Sequence, residues 1–212
     1  ISLAVGCLAA VINLIVGTIY GGIAGYVGGK VDMIMMRVVD IIYAVPSMLY
    51  IVLIMLIFGA SVVSIMLGIS ITCWIDMARI VRQQVKSLKE QEFTMAAFVL
   101  GASSSRILLK HLLINTMGQI IVTVTLMVPQ AIFTEAWLSF LGVGISAPMA
   151  SWGTLAQDAR ELIMTYPMQT VYPMIAICIT IFSFNFVGEG LEKALDPKSK
   201  KIRGDLYEFA GN

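Results

Sequence analysis

Few side chains in this sequence have the types and spacing that catalysis or metal binding requires. His111 is the only histidine, and no second histidine, cysteine or carboxylate stands at ligand spacing from it. The three cysteines lie inside apolar runs without metal-ligand spacing, which favours buried small hydrophobes. Neither a catalytic triad nor a pair of carboxylates is present. The sequence therefore predicts no enzyme, no metal site and no cofactor.

The segment that ends at Lys30 has some features of a phosphate-binding loop, but it departs from the pattern at two positions. Ala24 stands where the first glycine of such a loop would be, and Val31 replaces the Ser or Thr that would hold magnesium. We therefore expect that the chain does not hydrolyse ATP itself.

Polar side chains recur along one apolar segment with helical spacing. They are separated by four, four, seven and four residues, so that on a helix they share one face. These residues are Asn115, Gln119, Thr123, Gln130 and Thr134. Lipid would leave such groups unpaired at a cost on the order of several kcal/mol each, so the stripe must face other helices or a water-filled translocation path. Both interpretations stay open, and Glu135, which follows, either joins the path or lies among lipid headgroups.

Composition places these residues in a membrane. Of the 212 residues, 58% are apolar and 13% are charged, whereas a soluble domain carries about 25% charged residues. A spanning helix needs about 20 mostly apolar residues, and five segments qualify. The sequence thus predicts an all-α polytopic membrane protein, with a transmembrane domain over residues 1–195. The predicted spans are 2–27, 41–58, 61–77, 112–138 and 162–187.

Glycine and proline spacing adds detail to these spans. Gly17, Gly21, Gly25 and Gly29 recur every four residues, which predicts close packing against another helix. Pro46 lies early in the second span, where it kinks or breaks a helix and serves either as a packing feature or as a hinge.

Charge placement predicts the orientation. All but one of the 14 lysines and arginines lie on one side of these spans, the exception being Arg160. Because cytoplasmic loops hold the excess of Lys and Arg, we expect the loop 79–111 and a polar tail, 196–212, in the cytoplasm. The N-terminal end is then outside, which suggests that an earlier span precedes it.

The cytoplasmic loop has internal organisation. Apolar residues at helical spacing predict a short amphipathic helix, formed by Phe93, Ala96, Ala97 and Leu100. Gly101 suits the position just after a helix end, and Ser103 to Ser105 offer N-caps for the next helix. The helix has a weakly apolar face, which favours insertion into a protein groove over adsorption to lipid.

Several ordered motifs identify the chain as similar to a known family. Residues 92–101, followed by Ile107, His111 and Asn115, resemble the cytoplasmic loop of ABC-importer permeases. Residues 135–144, 151–155, 185–191 and 195–197 resemble the oligopeptide/dipeptide branch, in its C-type subunit. Met95 departs from this pattern, because it stands where the glutamate of the family's loop would be.

The resemblance implies the fold, partners and activity of a type I ABC importer. Such a chain has six spans, is one of two permease subunits and lies in a bacterial or archaeal cytoplasmic membrane. Its partners are two cytoplasmic ATPases and an extracellular or periplasmic binding protein that delivers short peptides, which cross by alternating access. Coupling to the ATPases would rest on Glu92, Phe93, Ala96, Ala97, Leu100, Gly101 and His111. The polar stripe and Glu135 would line the path.

Other functions stay open at the level of sequence. The same machinery also carries nickel or opines in related permeases, although no histidine- or methionine-rich carboxylate cluster suited to nickel is present. A self-contained channel or secondary transporter would instead need ionisable residues near the middle of the bilayer. A membrane enzyme would need a catalytic set that the sequence lacks.

Overall fold

A computed structural model describes residues 1–145 and 149–195. Over these ranges the chain consists of helices and their connections, and it contains no β-strand. The predicted tail, 196–212, and the motif residues after Leu195 lie outside the described residues. The helices are α1 (Ser2–Val27), α2 (Gly29–Ala44), α3 (Ser47–Phe58), α4 (Val62–Lys89), α5 (Glu92–Val99), α6 (Ser104–Arg106), a π-helical segment (Ile107–Leu112), α7 (Leu113–Phe140), α8 (Trp152–Arg160) and α9 (Pro167–Leu195).

Four helical stretches are long and apolar enough to cross a membrane. They are α1, α4, the continuous stretch Ser104–Phe140 and α9. Helices α2 and α3 pass the same test only together, and they meet at an angle of 77°. The described residues therefore hold four continuous candidate spans and one broken one, which agrees with an all-helical polytopic fold.

The break between α2 and α3 has a local cause. Val45 precedes Pro46 and is extended, with ψ 128°, because the proline ring excludes the helical conformation from the residue before it. Helix α3 alone has 12 residues and is about 18 Å long, too short for a hydrocarbon core of about 30 Å. The segment predicted as one span over 41–58 is thus an elbow. Pro129, in contrast, lies inside α7, which continues through it.

Helix α4 extends beyond the predicted span 61–77. It continues to Lys89, so residues 79–89 of the predicted loop are helical. Ion pairs with α2 neutralise two of its charges: Arg79 bonds Asp40, and Arg82 bonds Asp32. Charge alone marked this stretch as a loop, whereas its partners allow it to remain a packed helix.

The glycines of α1 allow it to pack closely along α4, as predicted. A Cβ at Gly21 would overlap the carbonyl oxygen of Ala78, and one at Gly25 would lie 2.7 Å from the Arg82 carbonyl oxygen. Gly17 meets Met77 in the same way. Gly29 does not take part in this packing, contrary to the prediction. It begins α2 with φ +57°, and a Cβ added there would have no atom within 4 Å.

Candidate functional site

The short helix α5 is anchored to the end of α4. Thr94 is buried, and its Oγ1 donates a hydrogen bond of 2.8 Å to the carbonyl oxygen of Leu88. Ala97 is half-buried and packs against a cluster that includes Val85 and Ile107. One face of α5 is therefore fixed to α4 and to the π-helical segment.

The end of α5 is closed by a Schellman motif. Gly101 has φ +79°, and its N–H bonds the carbonyl oxygen of Phe98 at 3.0 Å. The N–H of Ala102 bonds the carbonyl oxygen of Ala97 at 3.1 Å. This 6→1 and 5→2 pair defines the motif. The Ser103 hydroxyl then accepts from the Arg106 N–H, so the predicted helix stop and N-cap are both confirmed.

Apolar side chains project from the far side of α5 and from its end. Phe98, Val99 and Leu100 are 74%, 83% and 87% exposed, and Met95 is exposed beside them. We call these four residues the apolar tip. Apolar side chains clustered on a protruding element are typical of a surface that another molecule covers.

The predicted coupling residues fall at different places in this structure. Phe93 and Ala96 are exposed, whereas Ala97 faces the core. Helix α5 ends at Val99, so Leu100 does not continue the predicted helical face. The predicted stripe left out the exposed side chains of Met95, Phe98 and Val99, because it followed one helical face and continued to Leu100, past the end of an eight-residue helix.

The other two predicted coupling residues flank the tip. Glu92 lies in the first turn of α5, where a carboxylate favours the helix dipole. His111 is half-exposed and lies in the π-helical segment. Its carbonyl oxygen accepts from the Asn115 amide, and that of Leu112 accepts from Thr116 Oγ1. Since the register of backbone bonds changes where a π-helix meets an α-helix, these side chains bond carbonyl groups at the junction.

A cleft opens between the α2–α3 elbow, α4 and α7. Its volume is about 400 Å³. Two stripe residues, Gln130 and Thr134, line it together with Tyr43, Thr72 and Asp76. The second half of the polar stripe thus lies on a concave surface.

The first half of the stripe lies elsewhere. Asn115 and Gln119 are exposed, and Thr123 is buried with its hydroxyl bonded to the Gln119 carbonyl oxygen at 2.8 Å. Sequence reasoning also missed Asp76 as a cleft residue, although it is the only Asp, Glu, Lys or Arg in the predicted span 61–77.

Glu135 does not line this cleft. Its side chain is fully buried, and its Oε1 accepts from Ser139 Oγ at 2.8 Å. Its Oε2 has no hydrogen-bond partner in the described part of the chain. Gly144 and Gly153 pack directly on Ser139, so the motifs at 135–144 and 151–155 form a tight joint between α7 and α8.

The joint is completed by the start of α8. Ser151 and Thr154 bond each other's backbone N–H groups in a capping box. The N–H of Trp152 donates to Ser2 Oγ at 3.2 Å, which ties α8 to the start of α1. This joint lies at the end of the bundle opposite the apolar tip.

Comparison with known proteins identifies the family of this chain. The sequence model of the binding-protein-dependent transport system inner membrane component family matches residues 2–201. The chain belongs to this family. The match covers α5, the cleft and the α7–α8 joint, and it confirms the resemblance seen in the motifs.

Individual relatives and a solved structure agree with this family assignment. The chain is 52% identical to the oligopeptide transport system permease protein OppC of Bacillus subtilis over 95% of this chain, and 46% identical to the dipeptide transport system permease protein DppC of the same organism over 95%. It spans 66% and 63% of the length of these two relatives. An inward-facing structure of the MetNI methionine ABC transporter matches with a TM-score of 0.71 at 16% identity, over 92% of this chain and 93% of the other. The family member described here thus has the transmembrane fold of an ABC transporter.

Proposed function

We propose that this family member is a permease subunit of an ATP-driven importer that moves short peptides across a cytoplasmic membrane by alternating access. The names of the Bacillus subtilis relatives, which specify oligopeptide and dipeptide transport, support the substrate class. The fold supports the transport mechanism, since two arrangements of paired permeases can be biased by ATPases that bind them differently.

The observation that carries the proposal is the apolar tip. Its side chains are exposed, while the helix beneath them is fixed by Thr94 and closed at Gly101. Such a helix moves as a rigid unit, so a displacement of the tip is transmitted to α4 and to the π-helical start of α7. A groove on a separate ATPase subunit is the partner that this shape suits.

The remaining partners follow from the two ends of the bundle. The tip and the basic residues near it would face the cytoplasm and two ATPase subunits, as would the C-terminal end. The α7–α8 joint, at the other end, would face a binding protein outside. A second permease subunit would complete the path, with Gln130 and Thr134 on this chain's side. The chain itself would supply no ATPase site.

A substitution at Gly101 tests the coupling. Gly101→Val forces a side chain into a left-handed conformation that costs about 1–2 kcal/mol, although no atom lies within 4 Å of the added Cβ. We expect it to reorient the tip and uncouple ATP hydrolysis from peptide uptake in proteoliposomes, with normal insertion into the membrane. Gly190→Val is the control, since that position is also open but helical. Unchanged coupling in Gly101→Val would refute the docking role.

A self-contained carrier is the second candidate, and Asp76 is the observation that favours it. An ionisable residue inside a candidate spanning helix is what ion-coupled transport would use. The dependence of uptake on ATP separates the two. Uptake that continues in liposomes without the ATPases, driven by an ion gradient, would favour the carrier.

A further inference from the structure

The cleft at the α2–α3 elbow carries one formal negative charge and no paired cation. Asp76 lies near the middle of α4, is exposed to the cleft and forms no salt bridge with any residue of the described ranges. The cleft volume of about 400 Å³ falls in the range of small-molecule sites, roughly 300–1,000 Å³. A free carboxylate in such a concave surface attracts a cation.

The nearest guanidinium on α4 is held away from Asp76. Arg79 lies one turn further along the helix, within reach of an i, i+3 pair. Its Nη2 instead bonds Asp40 Oδ1 at 3.0 Å, and its Cζ lies 4.4 Å from the centre of the Tyr43 ring. The pair with Asp40 thus keeps the charge of Asp76 available.

The neutral groups of the cleft also suit a hydrogen-bond donor. Thr72 Oγ1 donates to the Ile69 carbonyl oxygen at 3.2 Å, and Thr134 Oγ1 donates to the Gln130 carbonyl oxygen at 2.8 Å. Because both hydroxyl protons are donated to backbone carbonyl groups, these hydroxyl oxygens can only accept further hydrogen bonds in the cleft. An ammonium group has three donors and no acceptor, and it matches such a lining.

The two helix ends at the elbow do not change the sign of the electrostatic potential in the cleft. The carboxyl end of α2 and the amino end of α3 both lie at the cleft. Their dipoles, about half a charge each and opposite in sign, offset each other. The full charge of Asp76 therefore decides the electrostatic preference.

We propose that this cleft binds a cationic group of the transported solute, with Asp76 as its counter-ion and with Gln130, Thr72 and Thr134 as neutral contacts. The group is an ammonium, either the amino terminus of a peptide or a lysine side chain. Asp40 acts as a positioning residue, because it holds Arg79 away from Asp76. This inference rests on the proposed function, since it names the part of the peptide that the path recognises.

Uptake kinetics in proteoliposomes that contain the complete transporter and its binding protein test the site. The probes are tri-alanine, Ala-Lys-Ala and Ala-Glu-Ala, each compared between variants with the same binding protein, so that the delivery step cancels. Asp76→Asn should raise the KM about tenfold, the effect of losing one ion pair, while Asp76→Glu keeps the KM within about threefold of wild type. An increase for all three probes assigns the terminal ammonium, and one for Ala-Lys-Ala alone assigns the side chain.

Two further variants keep the test decisive. Asp40→Asn frees Arg79 to compete for Asp76 while the cleft carboxylate is unchanged, so it should raise the KM by a smaller factor, about two- to fourfold, because an exposed ion pair is weak. Glu189→Gln, at an exposed position on α9 that lines neither the cleft nor the α7–α8 joint, should leave the KM unchanged. A KM that stays within twofold for all probes in Asp76→Asn, or an equal loss in Asp76→Glu, would overturn the site. Absence of ATP-dependent peptide uptake by the wild type would instead overturn the proposed function.

Discussion

The ion pair between Asp32 on α2 and Arg82 on α4 should contribute far more to stability than its neighbour, Asp40 with Arg79. Both pairs join the same two helices with the same residue types. They differ in burial: the Asp32 and Arg82 side chains are 7% and 26% exposed, against 52% and 35% for Asp40 and Arg79. The chain thus provides a matched control for the effect of burial on an ion pair.

The geometry of the buried pair sets the expected magnitude. Arg82 donates from Nε and Nη2 to the two carboxylate oxygens of Asp32, a bidentate arrangement. Removing one partner of a buried pair costs about 3–5 kcal/mol. Lys86 Nζ lies 4.0 Å from Asp32 Oδ2 and offers partial compensation, so we expect about 3 kcal/mol for Arg82→Gln. Asp32→Asn should cost about 1–2 kcal/mol, because Arg82 can still reach solvent.

Double-mutant cycles measure the difference directly. Unfolding free energies would be measured by denaturing-detergent titration of the purified protein, for each single and double substitution. The coupling energy should be about 2–3 kcal/mol for Asp32 with Arg82 and below about 1 kcal/mol for Asp40 with Arg79. Raising the salt concentration to 1 M should abolish only the coupling energy between Asp40 and Arg79. Equal coupling energies for the two pairs would refute the reasoning.

Further substitutions test the packing, the elbow and the tip. Gly21→Ala should destabilise the protein by about 1–3 kcal/mol, because its Cβ overlaps the facing α4 backbone. Gly22→Ala is the control and should leave the melting temperature unchanged, since its Cβ would lie 3.6 Å from its nearest neighbour. Equal losses of stability in the two variants would contradict the close packing at Gly21. Pro46→Ala should let the elbow straighten, which lengthens distances between spin labels on α2 and α3; unaltered distances would show that packing, not proline, sets the bend. Thr94→Val should cost about 1 kcal/mol and raise hydrogen exchange across α5, and unchanged exchange would mean that the hydroxyl does not anchor it.

Local rules predicted the parts of the fold that local chemistry decides. The spacing of the glycines in α1, the helix stop at Gly101 and the cap at Ser103 each depend on a few neighbouring residues, and the structure has them as predicted. Helix α1 also begins at Ser2 and ends at Val27, the bounds predicted for the first apolar segment. Hydropathy suffices there, because no charge interrupts the segment.

Contacts between residues far apart in the sequence determine the features of the fold that local rules could not predict. Charge placement assigned Arg79 and Arg82 to a loop, whereas in the structure both are paired with aspartates on α2 and α4 is helical to Lys89. Asp76 belongs to the cleft because the elbow, α4 and α7 converge on it. Glu135, placed in the path by its position after the stripe, is enclosed instead by packing at the α7–α8 joint.

Docking of the apolar tip onto an ATPase is the central claim, and site-specific photocrosslinking tests it most directly. A photoreactive amino acid would replace Leu100 in the assembled transporter, and the same substitution at Met164, which is exposed in the α8–α9 turn at the other end of the bundle, would serve as the control. We predict that the label at position 100 crosslinks to the ATPase subunit, with a yield that changes when ATP binds, and that the label at 164 does not. Crosslinking of position 100 to lipid alone, or equal ATPase crosslinking from both positions, would contradict the account.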